Sequence, residues 1–208
     1  MSEQIERTPL YTFARGLFGL LFRTLMPIRF HGTEKLDALK APYILISNHK
    51  AAIDPFVLAV PVRRYEIRFI GKREITGNKI VEWAVRQLHM IPVSRGATDM
   101  GAMRLCMQAL REGHVLGIFP EGTRHQPEMM QTVESGTGMI ALRANVPVLP
   151  VYIHGKVRLF HVTHVYVGEP MEIADIKAQG MSNDSIQQLC GRIRDTFYAL
   201  RDRASCAK

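Results

Sequence analysis

Cysteine is scarce and unpatterned: Cys106, Cys190 and Cys206 are odd in number, far apart and without CxxC spacing. That argues against a disulfide framework or a zinc site, and for a reducing compartment. Long apolar runs are also lacking. A membrane-spanning helix needs roughly 18–20 apolar residues in succession. The longest run here, Gly16-Leu17-Phe18-Gly19-Leu20-Leu21-Phe22, is closed off by Arg15 and Arg23. Met26-Pro27 is not a small-residue cleavage site, so this run is not expected to belong to a signal peptide. No Lys/Arg block is long enough for a nucleic-acid tail and no RNA- or DNA-reading motif is present, so nucleic acid is not an expected partner. Repeats, low-complexity linkers and a second globular domain are missing too.

What remains is a chain of 208 residues, 47% of them hydrophobic, enough for one globular domain with a real core. Lys and Arg number 27 against 19 Asp and Glu, a formal charge of +8. That balance favours an anionic partner such as an acidic membrane surface or a phosphorylated substrate.

Residues 9–26 carry helical periodicity. Phe13, Leu17, Leu20, Leu21 and Leu25 fall near one face, Phe18 and Phe22 widen it, and Arg7, Arg15 and Arg23 are the only charges nearby. Two readings compete: a core-packed helix, and an interfacial helix lying in the headgroup layer of an anionic membrane. The pattern of Arg among leucines and aromatics favours the second. Residues 1–27 are therefore expected to be a membrane-associating segment and 28–208 a single α/β domain.

Within that domain strands are expected over 29–32, 43–47, 67–70, 90–93, 115–119, 146–153 and 162–167. Helices are expected after residue 55, over 78–88 around Trp83, and over 98–111, 136–144 and 186–200. The alternation implies a mostly parallel or mixed central sheet flanked by helices. Pro147 and Pro150 suggest that their strand lies at an edge or starts irregularly.

Several strands end in polar clusters. Ser47-Asn48-His49-Lys50-Ala51-Ala52-Ile53-Asp54-Pro55 sets an imidazole and a carboxylate at a strand-to-helix turn. If the turn folds back, Asp54 can accept a hydrogen bond from one ring nitrogen of His49 and leave the other as a base. The plainer alternative is that Asn48 or Asp54 merely caps a helix. Lys72-Arg73-Glu74, Arg95 and Glu121-Gly122-Thr123-Arg124 follow other strands. Gly122 permits a tight turn, Thr123 offers a hydroxyl, and Arg124 offers a planar fork suited to phosphate, with Lys72 and Arg95 adding charge. A base beside phosphate binders suits the deprotonation of a phosphorylated alcohol.

Asn48-His49-x4-Asp54, followed by Phe119-Pro120-Glu121-Gly122-Thr123-Arg124, resembles the paired signature of the glycerolipid acyltransferase family. Lys72-Arg73-Glu74 with Ile91-Pro92-Val93-Ser94-Arg95 resembles its second block, and Val146-Pro147-Val148-Leu149-Pro150-Val151 its fourth. The likeness covers about residues 29–170. It implies transfer of a fatty acyl chain from acyl-CoA or acyl carrier protein to the free hydroxyl of 1-acyl-sn-glycerol-3-phosphate, giving phosphatidic acid. By that likeness His49 is the general base and Asp54 its orienting partner. Glu121, Gly122, Thr123 and Arg124 bind the acceptor's phosphate side, with lesser parts for Arg95 and Lys72. The resemblance implies no cofactor and no metal, and a lysophospholipid and an anionic membrane surface as partners. The expected location is peripheral, on the cytoplasmic face of the inner membrane. Two departures stand out: Leu88-His89-Met90 replaces a glycine-containing approach to the second block, and Glu134 stands where a Lys is common. Alternatives left open are another lysophospholipid or glycerol-3-phosphate as acceptor, a non-catalytic lipid-binding protein, and a hydrolase using the same His/Asp pair on water.

Overall fold

The computed structural model describes residues 8–72, 89–93, 99–124 and 128–206, with Lys72 described by its backbone. The helix expected over 78–88 lies outside the described residues, as do Arg7, Arg73, Glu74, Ser94, Arg95 and His125.

Seven strands form one sheet: β1 (Ile28–His31), β2 (Tyr43–Ser47), β3 (Ile67–Lys72), β4 (Ile91–Val93), β5 (Val115–Ile118), β6 (Val148–His154) and β7 (Thr163–Val167), in the order β1-β7-β6-β2-β5-β3-β4. β6, β2, β5, β3 and β4 run parallel, and β1 and β7 run the other way through the antiparallel β6–β7 pairing. The sheet is thus mixed. β2 is buried along its whole length, as its unbroken apolar run demands of a central parallel strand.

Helices cover both faces: α1 (Pro9–Thr24), α2 (Glu34–Ala38), α3 (Asp54–Ala59), α4 (Met100–Arg111), α5 (Ser135–Ala144), α6 (Ala174–Ala178) and α7 (Asn183–Cys206). Side chains on β2 alternate between two cores. Ile44 and Ile46 join Leu116, Met103, Leu142 and Phe197 under α4, α5 and α7. Tyr43 and Leu45 join Phe22, Leu36, Val57 and Leu58 under α1, α2 and α3. Helix ends obey local chemistry. Asp99 caps α4 by accepting from Ala102 N at 2.9 Å, and α5 stops at Asn145, whose φ of +55° is left-handed.

The strand with two prolines is not at an edge; β6 sits between β7 and β2. Pro147 precedes the strand and gives only its carbonyl, to Ile44 N at 2.9 Å. Pro150 accepts from Gly168 N at 2.8 Å, and β7 has already ended at Val167. Its missing N–H costs one ladder bond on the β7 side, where its ring packs against Gly168. Gly168 is required there, because an added Cβ would lie 2.8 Å from Pro150 Cγ.

α1 packs one face on the core and leaves the other exposed. Tyr11 and Phe22 are buried, Phe18 stacks on Phe56 at 3.8 Å, and Tyr11 Oη accepts from Ile67 N at 3.2 Å. Each large apolar side chain so buried stabilises the fold by roughly 1.5–3 kcal/mol. Phe13, at 67% exposure, Leu17 and Leu20 point outward on the other face. Among the described residues no helix is long and apolar enough to cross a membrane.

Candidate active site

β2, β5 and β3 are parallel neighbours, so the turns after them leave the same edge of the sheet. The first of these holds His49 and Asp54, the second Glu121 to Arg124, and β3 ends at Lys72. Ligand sites in open α/β sheets form at this carboxyl edge.

The first turn folds back on itself. Asp54 Oδ2 lies 2.9 Å from His49 Nδ1 and accepts from Lys50 N at 2.6 Å and Ala51 N at 2.8 Å. Three donors on one oxygen lock the turn. A carboxylate only accepts, so the proton between the two side chains sits on Nδ1 and Nε2 keeps its lone pair. The Asp54 side chain is 1% exposed and that of His49 18%, which shields the carboxylate and leaves the imidazole within reach of a ligand. Asp54 is not a cap: α3 starts on it, and its N-cap, Ile53, makes no side-chain cap bond. Asp54 Oδ1 is buried without a hydrogen-bond partner among the described residues.

Two further contacts hold His49. Phe119 stacks on its ring with centroids 4.1 Å apart, and Phe69 stacks on Phe119 at 5.8 Å. Glu121 Oε2 accepts from His49 N at 3.0 Å while its Oε1 accepts from Met130 N at 2.8 Å. The Glu121 carboxylate, 2% exposed, therefore faces inward and stitches the two turns together.

Of the remaining expected residues, Gly122 and Arg124 lie toward solvent. Gly122 has φ of +63°, and an added Cβ would meet Glu134 Oε1 at 2.9 Å, so both conformation and space demand glycine. Thr123 is half-buried and Arg124 exposed. The backbone brings Lys72 to the same edge, and Arg95 lies outside the described residues. The other histidines make separate contacts: His89 Nδ1 lies 2.9 Å from Glu66 Oε1, and Tyr152 Oη lies 3.3 Å from His154 Nδ1.

Two motif residues take part in ways the sequence reading did not assign. Asn48 is fully buried, gives Nδ2 to Ile153 O at 2.9 Å and accepts from Ile153 N at 2.8 Å, tying the turn to β6. Phe119 reads as the last residue of a buried strand until its ring is seen against His49. A buried Asn just ahead of the histidine was the one available hint, since such a side chain must find partners.

Beside the turn lies a small apolar cavity of about 100 Å³ between α1 and α3, lined by Tyr11, Ala52, Pro55, Phe56, Phe69 and Met90. Ala52 and Pro55 belong to the His49–Asp54 turn itself.

The chain is similar to several known proteins. A 1-acyl-sn-glycerol-3-phosphate acyltransferase of Streptococcus pneumoniae is 28% identical over 197 residues, covering 91% of this chain and 72% of its own. One from Bacillus subtilis is 24% identical over 177 residues, covering 80% and 84%. The fold is shared with the crystal structure of the 1-acyl-sn-glycerophosphate acyltransferase PlsC of Thermotoga maritima, at a TM-score of 0.67 and 23% identity, over 93% of this chain and 78% of that one. A family model described as Acyltransferase matches residues 27–154, from the entry into β1 to the end of β6. That span takes in both facing turns and the strand that anchors them, and the chain belongs to the acyltransferase family.

Proposed function

We propose that this acyltransferase moves a fatty acyl chain from acyl-CoA or acyl carrier protein to the free hydroxyl of 1-acyl-sn-glycerol-3-phosphate, giving phosphatidic acid. The observation that carries the reading is the 2.9 Å contact of His49 Nδ1 with a buried aspartate already fixed by two backbone amides. With Nδ1–H bonded to the carboxylate, a neutral ring presents Nε2 to take a proton. In the reaction Nε2 removes the acceptor's hydroxyl proton as its oxygen attacks the thioester carbonyl. Asp54 stabilises the resulting imidazolium. Collapse of the tetrahedral intermediate breaks the C–S bond, and the leaving thiolate takes the proton back from Nε2. The thioester supplies the driving force, so no cofactor is needed.

An acyl-enzyme on cysteine is disfavoured. Burial pushes the Cys106 thiol up to about 12 and raises that of Cys190, so neither is a ready thiolate. Arg124 is the proposed clamp for the acceptor's phosphate, with Thr123 and the Gly122 backbone beside it, and Lys72 and Arg95 as additional cations. Glu121 we assign to holding the His49 backbone rather than to phosphate, since both its oxygens accept from buried amides. The small apolar cavity beside Pro55 is the proposed entry point for the acyl chain.

The deciding assay offers purified protein a panel of acceptors against both donors, with products read by mass. Phosphatidic acid from 1-acyl-sn-glycerol-3-phosphate is the expected main product. Preference for glycerol-3-phosphate or a lysolipid with a substituted phosphate would replace the acceptor assignment. Thioester cleavage that does not depend on acceptor would make the protein a hydrolase.

A water-insoluble product calls for work at a membrane, and the outer face of α1 supplies a contact for the cytoplasmic leaflet. Deleting residues 1–27 would also remove Tyr11, Phe18 and Phe22 from the core, so point changes test this better. The double change Leu17→Ser, Leu20→Ser should shift the protein from membrane to soluble fractions with little change in melting temperature. Unaltered membrane binding would remove α1 as the anchor.

A further inference from the structure

The apolar face of α1 does not end with the helix. Leu25, at its C-cap, continues the stripe of Phe13, Leu17 and Leu20, and there the chain meets the loop 155–162 that joins β6 to β7. Phe160 N donates to Leu25 O at 2.7 Å. Leu159, Phe160 and Val162 are all exposed, Phe160 at 74%. Two segments remote in sequence thus build one continuous apolar edge.

Phe160 occupies an unfavourable place. It sits in a tight turn in which His161 N approaches Arg158 O at 3.4 Å, and its φ is +58°. That conformation belongs by default to Gly or Asn. A large ring there adds nothing to either core and leaves its surface in water. Backbone strain and apolar exposure at one residue mark a site held for something outside the chain.

Charge selects the occupant. No Asp or Glu occurs from Pro9 to Gly32, nor from Gly155 to Gly168. The charged residues of these stretches are Arg15, Arg23, Arg29, Lys156 and Arg158, and all but Arg15 are exposed. An apolar edge rimmed only by cations complements an anionic bilayer.

We infer that the 155–162 loop is a second lipid-contacting element, which inserts Leu159 and Phe160 into an anionic membrane beside α1. The domain is then held at two points instead of swinging on one helix. The inference rests on the reading of α1 as membrane-facing, and the two are separable by experiment.

Full-length Phe160→Gly should melt at or above the wild-type temperature, since glycine accepts the positive φ. It should also partition about tenfold more weakly onto vesicles of phosphatidylglycerol and phosphatidylethanolamine. A lower melting temperature with unchanged partitioning would assign the ring to the fold and overturn the inference. So would equal wild-type binding to pure phosphatidylcholine vesicles, because the cationic rim would then count for nothing. In Phe160→Trp the new indole should be quenched by brominated acyl chains beyond the wild-type signal. Quenching of a Leu20→Trp probe without quenching at 160 would remove the loop and keep α1; quenching at neither would remove both. If Phe160→Gly instead dissociates a lipid-free dimer, the edge joins two copies of the chain and the inference fails.

Discussion

Purified His49→Ala is expected to lose about 10²- to 10⁴-fold in kcat for acyl transfer, the contribution of a positioned general base. KM for the acceptor should change little, because proton removal acts in the transition state rather than in ground-state binding. The fold should survive. Asp54 keeps its bonds from Lys50 N and Ala51 N, so the turn stays closed without the imidazole. A circular-dichroism melt close to wild type, alongside the collapse of activity by product mass, is the combined result to expect. Activity within a few-fold of wild type in a protein free of contaminating enzyme would remove His49 as the base. Retained thioester hydrolysis in the variant would point to another group activating water.

The second large effect is expected at Glu121, and it separates two roles for one carboxylate. If Glu121 holds the turn, Glu121→Ala leaves His49 N and Met130 N buried without an acceptor. The cost is about 2–4 kcal/mol, a fall of roughly 5–15 °C in melting temperature for a chain of this length. Activity should fall through kcat as His49 loses its register. Glu121→Gln offers one carbonyl oxygen in place of two and should lie between wild type and alanine in both measurements. A residue that merely contacted the acceptor's phosphate would behave differently, moving KM and leaving the melt alone. That outcome would return Glu121 to the phosphate site.

Much of this arrangement was legible in the sequence because the signals were local. An apolar strand, then a His and an Asp across a short turn, then a helix, is a pattern of neighbours, and the observed hydrogen bond spans only that turn. The strands read correctly where alternation or an unbroken apolar run bounded them. β6 was misread as a candidate edge strand because Pro150 removes a donor, and only the neighbouring strands show that the sheet accepts its loss. The short helices α2 and α6 carry too few residues for periodicity to register. Glu121 was grouped with the phosphate binders through the family resemblance of its motif. Its inward turn depends on Met130 and on β2 lying beside β5, which are long-range facts. Asn48 is the clearest case: its partner is 105 residues away, and nothing near it in the chain announces the pairing.

That pairing has a geometric consequence. Asn48 clamps β6 at Ile153, one residue before the strand ends and the chain sets out toward Phe160. Phe160 lies seven chain steps after Ile153, a reach of at most about 25 Å even when fully extended. The imidazole next to Asn48 and the ring at the loop tip are therefore the two ends of a short strut. With the loop inserted as inferred, its length would set a working height for the base above the hydrocarbon. An acceptor could then present its hydroxyl from the headgroup layer while its own tail stays among the lipids, and a change in the 155–162 loop length would raise or lower the reaction centre without touching a catalytic atom.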